Sequence, residues 1–159
     1  MRRRKLVTML AVPMFAVGLL VAGCDDDESA ADQTTLSAPA PLAPASIAAD
    51  DQAGDGRSVT VARLTLPAPG FIVIHADGGG APGPVIGHSD LLPAGDSNDV
   101  EVALDTPITS SATVWPMAHV DVNVNEAYEF APPDEATDAP ALQEEAGAVA
   151  VVPIEYSVE

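Results

Sequence analysis

Each of the three histidines in the chain is followed two positions later by an aspartate: His75 and Asp77, His88 and Asp90, His119 and Asp121. On a strand, residues i and i+2 project from one face, so each pair would set an imidazole beside a carboxylate. A carboxylate there favours the imidazolium, or orients a neutral ring whose other nitrogen binds a metal. If the three strand ends share one rim, His75, His88 and His119 could hold zinc or copper, with Met117 as a soft ligand for copper. Ring nitrogens sharing one ion must then lie within about 3–4 Å of each other. The competing reading is that aspartate is abundant here and favoured where strands run into turns.

Asp121-Val122-Asn123-Val124-Asn125 has the oxygen-ligand spacing that opens a calcium loop, and Glu126 and Glu129 could add charge if the chain curls. Glu126 stands where that loop needs glycine, and Pro132 where it needs a bidentate glutamate. Alternate residues of an extended strand are about 6.7 Å apart, whereas oxygens around one calcium lie within about 5 Å. Val122 and Val124 favour the extended form, with Asp121, Asn123 and Asn125 facing water. Gly87-His88-Ser89-Asp90-Leu91, with His75 ahead of Gly78-Gly79-Gly80, imitates an esterase nucleophile elbow and oxyanion loop, but Leu91 replaces the second glycine. No catalytic residue is assigned. The sequence requires no cofactor; calcium or a transition metal is what the polar clusters leave open.

The elements that must position these residues begin after about 57 positions. From Ser58 short β-branched runs alternate with Gly, Pro, Asp and Asn. They predict strands over Ser58–Leu66, Gly70–Ala76, Pro84–Leu92, Asn98–Asp105, Ala112–Val124 and Ala148–Val158, with a short piece at Tyr128–Phe130. Asp99 to Asp105 alternates apolar and polar residues, which gives that strand one buried face. The expected fold is all-β: a single antiparallel immunoglobulin-like β-sandwich spanning residues 58–159. Trp115 is its expected core aromatic, and Ala131–Gly147 a long mobile Pro, Asp and Glu loop.

Ahead of the domain, residues 24–57 are rich in Ala, Pro, Ser and Asp and bury too little apolar surface to offset ordering. They read as a disordered acidic linker, spanning roughly 30 Å as a flexible coil. Residues 1–23 combine four positive charges, an apolar run from Leu6 to Ala22 and a small-residue cleavage site, the pattern of a secretory signal peptide. Val21-Ala22-Gly23-Cys24 resembles the lipobox of prokaryotic lipoproteins, which implies cleavage before Cys24 and its acylation with diacylglycerol. Cys24 is the only cysteine, so no disulfide competes for it. Two acyl chains anchor a protein stably where one does not. The expected location is the extracytoplasmic face of the cell membrane, with the membrane as a partner through the lipid. Arg3-Arg4 leaves the general secretory and twin-arginine routes both open.

Residues 24–159 carry 24 Asp and Glu against Arg57 and Arg63, a charge near −22. Nucleic acid is excluded as a partner, because phosphate binding needs a basic footprint. Such acidity fits a saline habitat or a codon-biased genome equally.

Val59-Thr60-Val61, Gly70-Phe71-Ile72-Val73-Ile74-His75, Gly83-Pro84-Val85-Ile86-Gly87-His88-Ser89, Leu92-Pro93-Ala94-Gly95 and Trp115 to Asp121 with Tyr128-Glu129-Phe130 form one string of motifs. Over Val59–Val158 this resembles a domain family of halophilic archaeal and bacterial surface proteins. The resemblance implies a secreted β-sandwich and no particular activity. Two functions follow as expectations: a non-catalytic surface module that binds a partner or supports the envelope, or a metal-ion-binding lipoprotein.

Overall fold

A computed structural model describes residues 44–130, 137–144 and 147–159. The signal peptide, the lipobox, Cys24 and the first part of the linker lie outside the described residues. Nine strands follow in order: β1 (Ser46–Ala48), β2 (Gln52–Gly54), β3 (Ser58–Leu66), β4 (Gly70–Asp77), β5 (Pro82–His88), β6 (Gly95–Ala103), β7 (Ala112–Asp121), β8 (Asp138–Pro140) and β9 (Ile154–Val158). No helix occurs among the described residues. The strands form a three-stranded sheet, β1-β3-β6, and a larger sheet, β2-β9-β7-β4-β5, with β8 also on β7. All pairings are antiparallel except β2 with β9.

The two sheets meet face to face through one apolar cluster. Val59, Val61, Leu64, Leu66 and Val102 come from the small sheet; Ile72, Ile74, Val114, Ala118, Ile154 and Tyr156 come from the large one. Period-two alternation accounts for most of this, as Val59 and Val61 are inward while Thr60 is exposed. Between Val61 and Leu64 the inward parity changes. On the paired strand, where Val61 faces Val100 and Arg63 faces Asn98, Asp99 takes φ 51°. That left-handed backbone is one aspartate tolerates better than most residues, and it lets both strands twist without losing register.

Four expectations need correction. Residues 44–57 are part of the domain, because β1 pairs with β3 and β2 with β9. Backbone pairing at an edge needs few apolar side chains, and Gln52 adds more: its Oε1 accepts from Thr60 N (2.8 Å) and its Nε2 donates to Thr60 O (3.0 Å). Trp115 is only half-buried, with Nε1 donating to Asp77 Oδ1 at 3.1 Å. It has the parity of Thr113 and Met117, opposite to the core residues Val114 and Ala118, so the core aromatic is Tyr156. The stretch expected as a long loop contains β8 and a bridge from Leu142 to Val149. Tyr128–Phe130 is not a strand.

Candidate functional site

The face of the large sheet that points away from the small one would ordinarily meet water. Here it is buried. Because Ile72 and Ile74 point into the sandwich, Phe71, Val73 and His75 point outward on β4; on β7, Trp115, Met117, His119 and Asp121 share that outer side. The register pairs Phe71 with His119, Val73 with Met117 and His75 with Trp115, and on the other side Val73 with His88. His119 has no exposed surface, and His75 retains only 6%.

The cover is the chain that follows β7. Tyr128 meets Phe71 edge-on (ring centroids 5.5 Å), lies against His88 (4.7 Å) and contacts His119 (5.8 Å); Phe130 meets His119 edge-on at 4.9 Å. Asp121 bends the chain into this position, since its two carboxylate oxygens accept from Asn125 N (3.3 Å) and Glu126 N (2.9 Å). Val124 and Glu126 take positive φ, 56° and 64°. The extended strand end expected here is therefore a curled loop. Asn123 and Asn125 both donate through Nδ2 to Glu129 Oε2, at 3.0 and 2.7 Å, and Glu129 N donates to Asp138 Oδ2. The calcium-spaced residues Asp121, Asn123, Asn125 and Glu129 do converge. Their carboxylates are engaged by N–H donors, so the set frames the cap.

All three histidines lie on this side of the sheet, but the Nδ1 of each meets a backbone carbonyl rather than its aspartate. Nδ1 of His75, His88 and His119 lies 2.8, 2.9 and 2.8 Å from the carbonyl oxygens of Gly83, Ser89 and Asp138. A carbonyl only accepts, so each Nδ1 carries the proton. Asp77 instead accepts from Gly79 N, Gly80 N and Trp115 Nε1. Asp77 and Asp121, at strand ends, hold the turn that follows each of them. No group of three His, Cys, Asp or Glu side chains among the described residues is spaced to hold one ion. A three-imidazole centre is not formed; His88 is exposed, while His75 and His119 face each other with centroids 6.0 Å apart.

Burial sets the electrostatics. It lowers the His119 pKa to about 4, against the opposing Asp138 carbonyl bond and helped by repulsion from His75. It lowers His75 as well, partly offset by the Gly83 carbonyl. Tyr128 is raised, by burial and by the Asp138 charge. Asp138 is raised mainly by burial, with the Glu129 N–H opposing and the Asp121 and Glu129 charges adding. Four buried side-chain atoms among the described residues lack a hydrogen-bond partner, and all belong to this cluster: His75 Nε2, His119 Nε2, Tyr128 OH and Asp138 Oδ1.

Ser89, the serine of the imitated elbow, is 6% exposed. Its hydroxyl accepts from Ile72 N (3.0 Å) and donates to Asp90 O (2.7 Å), tying the chain after β5 back onto β4.

The family described as a domain of unknown function, DUF7282, matches residues 45–155, from just ahead of β1 into β9 and across both sheets and the cap. The chain belongs to this family. The start of the DUF7282 match agrees with the placement of β1 and β2 inside the domain. Cell surface glycoproteins 2 and 1 of Haloarcula hispanica are each 43% identical to this chain over 86 residues. Those residues are 54% of this chain and 9% of either glycoprotein, so the chain spans under a tenth of these relatives. No solved structure matches the chain. A stretch similar to this chain thus occurs within two proteins named cell surface glycoproteins. The cap residues Tyr128 and Phe130 are the site members that sequence reasoning placed wrongly; their signal was two aromatics in an otherwise polar stretch.

Proposed function

We propose that the chain is a non-catalytic module of the cell surface, held at the extracytoplasmic face of the membrane by lipid on Cys24. The observation that carries this reading is the relation to two cell surface glycoproteins. The signal-like residues 1–23 and the Val21–Cys24 lipobox supply the anchor. The acidic mature chain, near −22, favours repulsion from anionic headgroups, so attachment rests on the lipid and the domain faces outward to a partner or the envelope. The domain's one elbow-like serine is committed to holding β4, which supports a binding or structural role. Metabolic labelling with a radioactive fatty acid or isoprenoid precursor tests the anchor. The native chain takes up label at Cys24 and Cys24→Ala takes up none; equal labelling of both would overturn it.

A further inference from the structure

We propose that His75 Nε2 and His119 Nε2, with the thioether of Met117, form a buried site for a soft monovalent metal ion, copper(I), beneath the Tyr128–Phe130 cap. This goes beyond the surface-module reading and does not depend on it. Both imidazoles have their tautomer set by a backbone carbonyl on Nδ1. That leaves a lone pair on each Nε2, the arrangement by which an outer hydrogen bond prepares histidine as a ligand. Both lone pairs are buried and unpartnered. A buried polar atom without a partner is destabilising, and two from neighbouring strands, in rings whose centroids lie 6.0 Å apart, are accounted for by one shared ligand.

The spacing fits an ion. Two imidazoles sharing a metal at about 2.0 Å through Nε2 have centroids about 5 Å apart at a tetrahedral angle, and about 6 Å apart when the nitrogens are nearly opposed. The observed separation is 6.0 Å, with the planes 28° apart. Met117 is buried on the same face, two residues before His119 and diagonal to His75 across the β4–β7 register.

The ligand set then selects the metal. Zinc takes four ligands, and no third imidazole, carboxylate or thiolate among the described residues is close enough. Two imidazoles and a thioether on a face shared with buried Phe71 and Val73, with Phe130 against His119, suit copper(I), which prefers soft ligands.

The test uses the full-length chain carrying Cys24→Ser, so that no thiol competes. Copper(I) is offered anaerobically as its complex with the colorimetric chelator bathocuproine disulfonate. The chain should withdraw one copper ion, seen as loss of the complex's absorbance. His75→Gln and His119→Gln, whose amides can still donate to the carbonyls, should abolish withdrawal. Met117→Leu, which conserves volume, should weaken it, and His88→Gln should leave it unchanged. X-ray absorption on copper bound to the chain with His75, Met117 and His119 intact gives a reading independent of how the variants fold: two nitrogens and one sulfur are expected. Any of three results would overturn the proposal: no withdrawal of copper, equal withdrawal by the His75→Gln/His119→Gln chain, or a copper shell without sulfur. Stronger retention of zinc than of copper(I) would equally overturn it.

Discussion

Removing the Tyr156 hydroxyl should rescue a substitution at Gly54, and the size of the rescue measures how firmly the segment before Ser58 belongs to the domain. Tyr156 on β9 is 3% exposed and accepts from Gly56 N at 3.1 Å. A Cβ added to Gly54 would stand 2.6 Å from the Tyr156 hydroxyl oxygen and 3.6 Å from the ring carbon bearing it. The first distance is a clash and the second an ordinary contact. Gly54→Ala alone should therefore cost about 1–3 kcal/mol as overpacking against a side chain fixed in the core. Tyr156→Phe alone should cost about 1–3 kcal/mol, because Gly56 N–H loses its acceptor. In the Phe background, alanine at 54 meets no hydroxyl and reduces the freedom of the unfolded chain, which is worth about 0.4–1 kcal/mol in its favour. Gly54→Ala should thus change sign between the two backgrounds, a coupling on the order of 2 kcal/mol. Chemical unfolding of the parent chain, both single variants and the double variant, followed by circular dichroism, reads it directly. Additive effects would mean that β2 does not pack on Tyr156, and the domain boundary would return to Ser58.

In metal-free protein held at high salt, stability should fall on acidification from about pH 6.5 towards 4. The sign follows from His119 and His75, which burial holds below the ordinary histidine value: the unfolded chain binds protons that the folded chain refuses. The stability is fully present above about pH 6.5 and lost as pH falls through the folded value, roughly 3 kcal/mol for His119. Asp138, raised by burial, acts oppositely: its contribution is present below the ordinary carboxylate range and lost as pH rises. Urea midpoints across this pH range check the balance, and a His75→Gln/His119→Gln chain with the same pH profile as the parent would contradict the burial of the two imidazoles. The melting temperature should rise as monovalent salt goes from about 0.01 to 1 M, since the screening length falls from roughly 30 to 3 Å. Residues 58–159 hold 16 acids and one base, and the one ion pair among the described residues, Arg57 with Asp55 at 3.8 Å, is exposed; an unchanged melting temperature would show that the charges do not oppose folding.

Much of the architecture was legible because alternation and burial obey the same period. β3 has the limits predicted for it, and β4, β6 and β7 differ by a few residues at their ends. The unbroken run Phe71-Ile72-Val73-Ile74 was the sign of a strand buried on both faces, and hence of a covered outer side. The β1 and β2 edges were not legible, because main-chain hydrogen bonds and one Gln52 amide hold them rather than apolar side chains. Trp115 was misplaced by residue type, although its parity with His119 was readable. At the site, period two put three histidines on one side of the large sheet. Which ring nitrogens would be pinned, and by which carbonyls, depended on the bulges of β5 against β4 and on the return of β8 to β7.

On the proposed reading the domain is displayed outside the cell and held there by Cys24. The most direct test of that reading is protease treatment of intact cells expressing the native chain or Cys24→Ala, each with a carboxy-terminal epitope. The native chain should fractionate with membranes and lose its epitope to external protease, while Cys24→Ala should leave the membrane fraction. A native chain fully protected until the cells are lysed, or one that stays on the membrane without Cys24, would contradict it.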